Sequence, residues 1–410
     1  MRLLCISNGH GEDGIGLRIL QALQHFDRAI EIAVLPIVGQ GAAYRAQGFS
    51  PLGPAQDLPS GGFIYMDSQQ LGKDLQAGLL SLSWHQLQAV RQWAAAGGQV
   101  LAVGDIVPLL FAWQSGLPYS FVGTAKSEYW LRDEQGPLPS QAWLRPKSVY
   151  FPWERWLMAR PRCQAVFVRD RLTADWLRQW QLPAIYAGNP MMDALAPNQP
   201  ALPGLAASEL TVVLLPGSRV PEAHQNWRLI LAAAADLAQT LSEKSVTFLA
   251  AIAPSLSLSP FAQALTQQGW QPTTSEMLYR SENATNARLQ LVKTAFADCL
   301  HRADLAIAMA GTATEQVVGL GKPAITLPGV GPQFTRRFAE MQARLLGPSV
   351  CLVEEPAAVG AAARSLVADP KRLAAIADNG RHRMGTAGAA RRIAQRLVEI
   401  EKCGTIESRV

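Results

Sequence analysis

Two short stretches in the second half of the chain carry residues suited to gripping an anion. They are Pro216-Gly217-Ser218-Arg219, with Glu222 just beyond, and Ala310-Gly311-Thr312-Ala313-Thr314-Glu315. Gly217 and Ser218 would expose main-chain N–H groups at a helix approach, and Arg219 can hold a phosphate bidentately. Gly311 and Ala313 keep the second turn small enough for a ligand to approach the backbone, and Thr312 and Thr314 add hydroxyls. Glu315 sits one turn into a helix, where a carboxylate can accept both hydrogen bonds of a sugar diol. Diphosphate plus ribose is the ligand this pattern suggests; the plainer reading is an N-capped strand-turn-helix.

The first half offers a second polar cluster, Asn8-Gly9-His10-Gly11-Glu12-Asp13-Gly14. His10 can change protonation near neutral pH, which suits a base or a donor to an acceptor's polar head. Glu12 and Asp13 either serve a ligand or stabilise the first turn of a helix through its dipole. Asp105 follows Gly104 and precedes the helix-starting Pro108, so it is placed either to act on a substrate or to cap that helix.

Each of these stretches follows an apolar run suited to a buried parallel strand: Arg2 to Ser7, Gln99 to Val103, Leu210 to Leu215 and Asp304 to Met309. A strand that ends in such a turn and feeds a helix leaves the first N–H groups of the helix without intrahelical partners. Further strands are expected at Ile30 to Leu35, Pro118 to Gly123, Ala165 to Val168, Ala184 to Ala187, Val246 to Ile252 and Leu289 to Val292. Helical patterns run from Ile15 to His25, Leu71 to Ala96, Arg171 to Trp180, Asn226 to Ser242 and Pro260 to Gln268. In the second of these, Trp84 and Trp93 read as core. After Cys351 the pattern is helical throughout. The fold class is α/β, with two Rossmann-like domains built on parallel sheets.

The turns also carry a resemblance. Leu214-Leu215-Pro216-Gly217-Ser218-Arg219 with Glu222, followed by Ala310 to Glu315, resembles the C-terminal domain of lipid-A-disaccharide synthase, whose pattern reads LLPGSR, then a Glu, then SGTAT before a Glu-containing helix. Gly188 to Asp193 is similar to that family's interdomain GHPLxD segment, with Asn189 in place of its His. Gln333 to Leu345 is similar to the Gln-rich helix after the donor site of the related peptidoglycan GlcNAc transferase. The likeness covers residues 163 to 346 and fits best the lipid-A-disaccharide-synthase-related proteins.

The resemblance implies a GT-B glycosyltransferase with two domains facing across a cleft and a last helix that crosses back to the first domain. It places the donor nucleotide sugar on Gly217, Ser218, Arg219, Glu222, Gly311, Thr312, Ala313, Thr314, Glu315 and Gln333. The acceptor falls to Gly9, Gly11, Glu12 and Asp13, and to Lys126 and Glu128 in a loop that lies near the acceptor in the family. The family's GIDAPDF carboxylate matches Asp105 with a shift of one residue. Its N-terminal loop reads GEASGD, so His10 is a departure, closer to the Gly-His loop of peptidoglycan and galactolipid transferases.

Length fits two domains: 410 residues divide into 1–190 for the acceptor side, a Pro-rich linker over 191–205, a nucleotide-sugar domain over 206–380 and a returning helix over 381–410. With 49% apolar and 17% charged residues, the chain has the balance of a compact folded protein. A net charge of +5 without basic blocks argues against a nucleic-acid partner and leaves an anionic substrate or membrane surface. The five cysteines are scattered and never spaced as CxxC, which points to thiols in a reducing, cytoplasmic setting. No apolar run is long enough to span a bilayer. The stretch from Trp143 to Arg162 interleaves aromatics with Arg145, Lys147, Arg155, Arg160 and Arg162, a mixture that suits either an anionic bilayer surface or an ordinary packed helix.

The chemistry expected is inverting sugar transfer from a UDP-sugar to a lipid-linked acceptor, with Asp105 or His10 as base. No resident cofactor is expected, the UDP-sugar being a co-substrate. No Asp-x-Asp triplet occurs to hold a metal. Two rivals use the same architecture: a UDP-sugar 2-epimerase, and a non-catalytic binder of nucleotide sugar or lipid. Nothing in the sequence fixes an oligomeric state.

Overall fold

A computed structural model describes residues 1–9, 11–56, 78–138, 147–197, 209–275, 277–331 and 334–407. The chain divides into two compact units. Unit 1 is Met1–Asp193 together with Ala387–Val410, and unit 2 is Ala194–Thr386.

Unit 1 is built on strands β1 (Arg2–Ser7), β2 (Glu31–Pro36), β3 (Gln99–Gly104) and β4 (Tyr119–Gly123), a small ribbon of β5 (Arg132–Asp133) and β6 (Gly136–Pro137), then β7 (Cys163–Val168) and β8 (Ala184–Ile185). The six-stranded sheet runs in the order β2-β1-β3-β4-β7-β8, and every pairing in it is parallel. β1 shows why both faces are covered. Leu4 and Ile6 pack into one core with Trp93, Leu109 and Phe121, while Leu3 and Cys5 pack into the other with Ile19 and Leu23. A strand buried on both faces reads as a continuous apolar run, which is the pattern seen in the sequence.

The helices of unit 1 are α1 (Gly11–Phe26), the short α2 (Ala42–Arg45), α3 (Leu79–Ala94), α4 (Ile106–Gln114), α5 (Pro152–Met158) and α6 (Arg171–Arg178). α1 begins at Gly11, earlier than the apolar periodicity alone suggested. In α3 Trp93 is core, whereas Trp84 is 56% exposed, which corrects the expectation that both are buried. The two lie too far round the helix to share its buried stripe of Leu82, Gln86, Val90 and Trp93.

Unit 2 holds β9 (Leu210–Leu215), β10 (Val246–Ala251), β11 (Trp270–Pro272), β12 (Leu278–Ser281), β13 (Ala287–Val292), β14 (Leu305–Ala308), β15 (Ala324–Thr326) and β16 (Val350–Leu352). They form one sheet in the order β11-β12-β13-β10-β9-β14-β15-β16. It is parallel from β13 to β16 and antiparallel at the β11–β12–β13 edge. Its helices are α7 (Glu222–Thr240), α8 (Ser259–Gln267), α9 (Phe296–Arg302), α10 (Thr312–Gly319), α11 (Arg336–Leu346), α12 (Val359–Val367) and α13 (Pro370–Met384). The sequence reading began α7 at Asn226, one turn late, because Glu222 and Ala223 break no apolar pattern. β11 and β12 carry no sequence signal, being too short for a run or an alternation to stand out.

The last helix, α14 (Ala389–Glu407), belongs to unit 1. Residues 381–386 were assigned to this returning segment and instead close unit 2, since α13 runs to Met384. Ile393, Ala394 and Leu397 of α14 join the core that holds Ile15, Ile19 and Leu23 of α1. Burying Ile393 and Leu397 contributes about 1.5–3 kcal/mol each. The start of α14 is capped from a distance: Asp193 accepts hydrogen bonds from the N–H groups of Gly388 (2.6 Å), Ala389 (3.0 Å) and Ala390 (2.6 Å). Arg392 adds a bond from Nε to the Ala187 carbonyl at 2.7 Å. The Gly188–Asp193 stretch therefore anchors the returning helix, and most of the expected linker beyond it, from residue 198 onward, lies outside the described residues.

Candidate functional site

Each sheet has one place where successive connections leave in opposite directions, and there the C-terminal ends of two adjacent strands part to leave a crevice. In unit 2 it lies between β9 and β14, because β9 leads to β10 on one side while β14 leads to β15 on the other. The two anion-type turns follow those two strands. Leu215 is the register partner of Ala308, so Pro216-Gly217 and Met309-Ala310 leave the sheet side by side.

Their backbones are joined. Asn226, from the second turn of α7, donates from Nδ2 to the Pro216 carbonyl at 3.1 Å and to the Met309 carbonyl at 3.2 Å. Gln342, on the buried face of α11, donates from Nε2 to the carbonyls of Ala310 (3.1 Å) and Gly311 (3.0 Å). Gly217 has φ +97°, and a Cβ there would stand 3.4 Å from the Met309 carbonyl, so a left-handed corner pressed against its neighbour favours glycine. Ser218 and Thr312 are exposed on the rim, and Arg219 is half-buried at the foot of α7.

Other expected donor residues face inward. Thr314 is buried and donates its hydroxyl to the Ala310 carbonyl at 2.5 Å, so it braces the turn instead of offering a hydroxyl to a ligand. Glu222 accepts the N–H of Phe334, and a Cβ on Gly331 would come 2.3 Å from its Oε1. Its carboxylate thus holds the Phe334 backbone close to Gly331, and Gln333 lies outside the described residues. Ala313 is half-buried beside Thr312, and Glu315, only 9% exposed, lies along the inner side of the first turn of α10.

In unit 1 the corresponding crevice lies between β1 and β3, since β1 leads to β2 on one side and β3 to β4 on the other. Gly9 and Gly11 follow β1, and Asp105 follows β3. The two loops meet: Asn8 donates its main-chain N–H to the Val103 carbonyl at 3.2 Å. Gly9 has φ +118°, and a Cβ on it would collide with the Val38 carbonyl at 2.3 Å. His10 is outside the described residues.

Asp105 caps α4 by accepting the Val107 N–H at 2.9 Å. Burial raises its pKa, against the opposing effect of that hydrogen bond, one from the Asn8 side chain and the charge of Lys126. Glu12 accepts the Thr124 hydroxyl at 3.2 Å. Burial pushes its carboxyl up to about 6 despite that bond, and the negative charges of Asp105 and Asp13 push the same way. Both carboxylates are costly to ionise, and the negative charge of Asp105 is felt at Glu12.

Three expected acceptor residues have partners within unit 1. Asp13 is buried and accepts the Ser7 hydroxyl at 2.6 Å, and that hydroxyl lies 2.9 Å from the Tyr44 hydroxyl. It holds α1 to β1, and burial lifts its carboxyl to about 6. Glu128 has no exposed surface and accepts from Arg132 Nε (2.8 Å), the Ser148 hydroxyl (2.6 Å) and the Val149 N–H (3.0 Å). A carboxylate so completely engaged organises its own loop and cannot meet an acceptor. Lys126 pairs with Glu154 at 2.5 Å and lies 4.7 Å above the Phe151 ring, which ties it to the start of α5.

The comparisons with known proteins follow this geometry. No family model matches the sequence, and no curated protein does. Among solved structures, UDP-GlcNAc 2-epimerase from Neisseria meningitidis bound to UDP-GlcNAc superposes over 97% of this chain and 100% of its own, with TM-score 0.57 and 15% identity. Acinetobacter baumannii MurG superposes over 97% of this chain and 99% of its own, with TM-score 0.56 and 13% identity. The Streptomyces glycosyltransferase SsfS6, complexed with thymidine diphosphate, gives TM-score 0.51 at 14% identity over 97% and 99%. The chain has the GT-B fold. Both glycosyltransferases and 2-epimerases share it at this level of likeness, so the fold class expected from the sequence is met while the reaction is left to the site.

Sequence reasoning missed Asn226, Gln342 and Thr124. The first two had a visible signal: a carboxamide on the otherwise apolar face of an amphipathic helix is buried and needs partners. Thr124 had none, since its bond to Glu12 joins loops far apart in the chain.

Proposed function

We propose that this protein is a glycosyltransferase that takes a sugar from a UDP-sugar resembling UDP-GlcNAc and transfers it, with inversion, to a lipid-linked or amphipathic acceptor. The observation that carries the proposal is the single seam at the unit 2 crevice, where Asn226 ties the Gly217-Ser218-Arg219 turn to the Gly311-Thr312 turn. Main-chain N–H groups, the α10 dipole and Arg219 together suit the charge that a departing nucleoside diphosphate develops. The lack of an Asp-x-Asp triplet supports a transfer that does not depend on a metal held that way. Glu12 and Asp105 of unit 1 are the carboxylates able to serve as base.

A thermal-shift panel tests the donor half. UDP and UDP-GlcNAc are expected to raise the melting temperature more than other nucleotides, with a gain of about 2.7 kcal/mol at a hundredfold excess over Kd. Arg219→Ala and Glu315→Ala are expected to abolish the shift. A flat response to every nucleoside diphosphate would end the proposal.

The epimerase reading has its own support, in the full-length likeness to 2-epimerases and in the paired carboxylates, which proton transfer at a sugar carbon also needs. Incubating UDP-GlcNAc with no acceptor separates the two. Appearance of the 2-epimer favours the epimerase; an unchanged substrate that turns over only when lipid extract is added favours transfer.

The acceptor side draws support from unit 1's surface. Phe151, Trp153, Trp156 and Trp180 are 40%, 57%, 45% and 39% exposed, with Arg155 stacked over Trp180 at 3.8 Å and Arg160 over Trp156 at 4.2 Å. Exposed aromatic rings beside Arg160 suit an anionic bilayer, with the rings in the headgroup zone. No helix among the described residues is long and apolar enough to cross a membrane, so the contact proposed is peripheral. The protein is expected to co-sediment with vesicles containing phosphatidylglycerol and not with neutral ones, and Trp153→Ser with Trp156→Ser is expected to release it. Equal binding to neutral vesicles, or none to either, would refute this contact.

A further inference from the structure

The two buried carboxamides of unit 2 do more than join turns. Asn226 and Gln342 are 1% and 3% exposed, and each presents only its NH2 group to the seam. Their own oxygens, Asn226 Oδ1 and Gln342 Oε1, have no partner among the described residues. A buried amide that leaves its acceptor unmatched while its NH2 group bridges two carbonyls is arranged for donation.

The consequence lies in the peptide planes. A trans peptide carries its N–H opposite to its C=O, and the only cis bond among the described residues is Val220-Pro221. Fixing the carbonyls of Pro216, Met309, Ala310 and Gly311 toward the two carboxamides therefore turns the N–H groups of Gly217, Ala310, Gly311 and Thr312 away from them. The Ala310 and Gly311 carbonyls are held a second time, by the Thr314 hydroxyl and by the Glu315 N–H, so these planes cannot easily rotate back.

We propose that Asn226 and Gln342 are positioning residues for the diphosphate: by holding four carbonyls inward they preset four main-chain N–H donors as one cradle for its oxygens. The proposal rests on the nucleotide-diphosphate reading of this crevice and adds where its preorganisation comes from. Neither side chain touches the ligand. Donors oriented before the ligand arrives need no rearrangement when it binds.

Calorimetry on the full-length protein tests this with UDP, inorganic pyrophosphate and uridine as probes. Gln342→Met is expected to weaken UDP and pyrophosphate about tenfold or more while leaving uridine within about twofold, because only the phosphates use the cradle. Gln342→Glu puts a carboxylate against two carbonyls and is expected to lose the same affinity at pH 8. It should regain it, relative to wild type at the same pH, as pH falls toward 5 and the new side chain becomes a donor again. That recovery within a single variant keeps the test decisive even if the Met variant fails to fold. Unchanged UDP affinity, an equal loss for uridine, or no recovery on acidification would overturn the proposal. Pyrophosphate binding by the wild type without UDP binding would reject the nucleotide reading and leave the cradle standing; binding of neither would remove both.

Discussion

If the proposed transfer from a sugar nucleotide is the reaction, Asp105→Asn is expected to lower kcat by about 100- to 10,000-fold, the range for loss of a positioned base. The amide keeps an oxygen for the Val107 N–H, so the cap on α4 survives and the loss reports chemistry. The pH profile carries a sharper expectation. A base must be ionised to act, and burial raises the pKa of both Asp105 and Glu12, the latter to about 6. Wild-type kcat should therefore climb as pH rises above the ordinary carboxylate range and level off once both groups are ionised, Glu12 doing so near 6. Glu12→Gln removes the group held near 6, so the climb that remains reports Asp105 alone, with a smaller change in the plateau. Measured UDP release against pH, for wild type and both variants, decides the matter. If Glu12→Gln abolishes turnover and Asp105→Asn only shifts the climb, the two have exchanged roles; if neither variant matters, the base lies elsewhere.

The second large effect is on stability. Asp193→Ala is expected to cost about 2–4 kcal/mol, since one carboxylate accepts three N–H groups at the start of α14 and charge-assisted bonds of this kind rank among the stronger ones. Arg18, whose burial lowers its pKa against the attraction of Asp193, loses its compensating charge in the same variant. Urea unfolding measures the total, and hydrogen exchange should show α14 opening before the rest of unit 1. Asp193→Asn keeps one acceptor oxygen and should lose about half as much. Unaltered unfolding and exchange would mean the cap contributes nothing.

The sequence made the site elements legible for a physical reason. A parallel strand buried on both faces must be apolar throughout, so β1, β3, β9 and β14 stand out as runs, and the turn residues that end them stand out by contrast. Strand order is not local information, so nothing in the chain text placed the β9 turn beside the β14 turn; that needed the sheet. The same limit applies to the partners of side chains. Asp13, Glu128 and Thr314 have the chemistry of ligands in the right stretches, and only tertiary packing shows their polar atoms committed to Ser7, to Arg132 and Ser148, and to Ala310. The β11–β12 hairpin escaped because its short strands carry neither a run nor an alternation long enough to score.

The interruption of unit 1 by unit 2 reverses the usual schedule of synthesis. Domains ordinarily mature in the order in which the ribosome delivers them. Here Ala390, Ile393, Ala394 and Leu397 complete a core whose other members, from Leu3 to Ala187, are all made earlier, so the amino-terminal unit waits, lacking the α14 layer of that core, until its neighbour has been translated in full. The later unit is the one able to finish first.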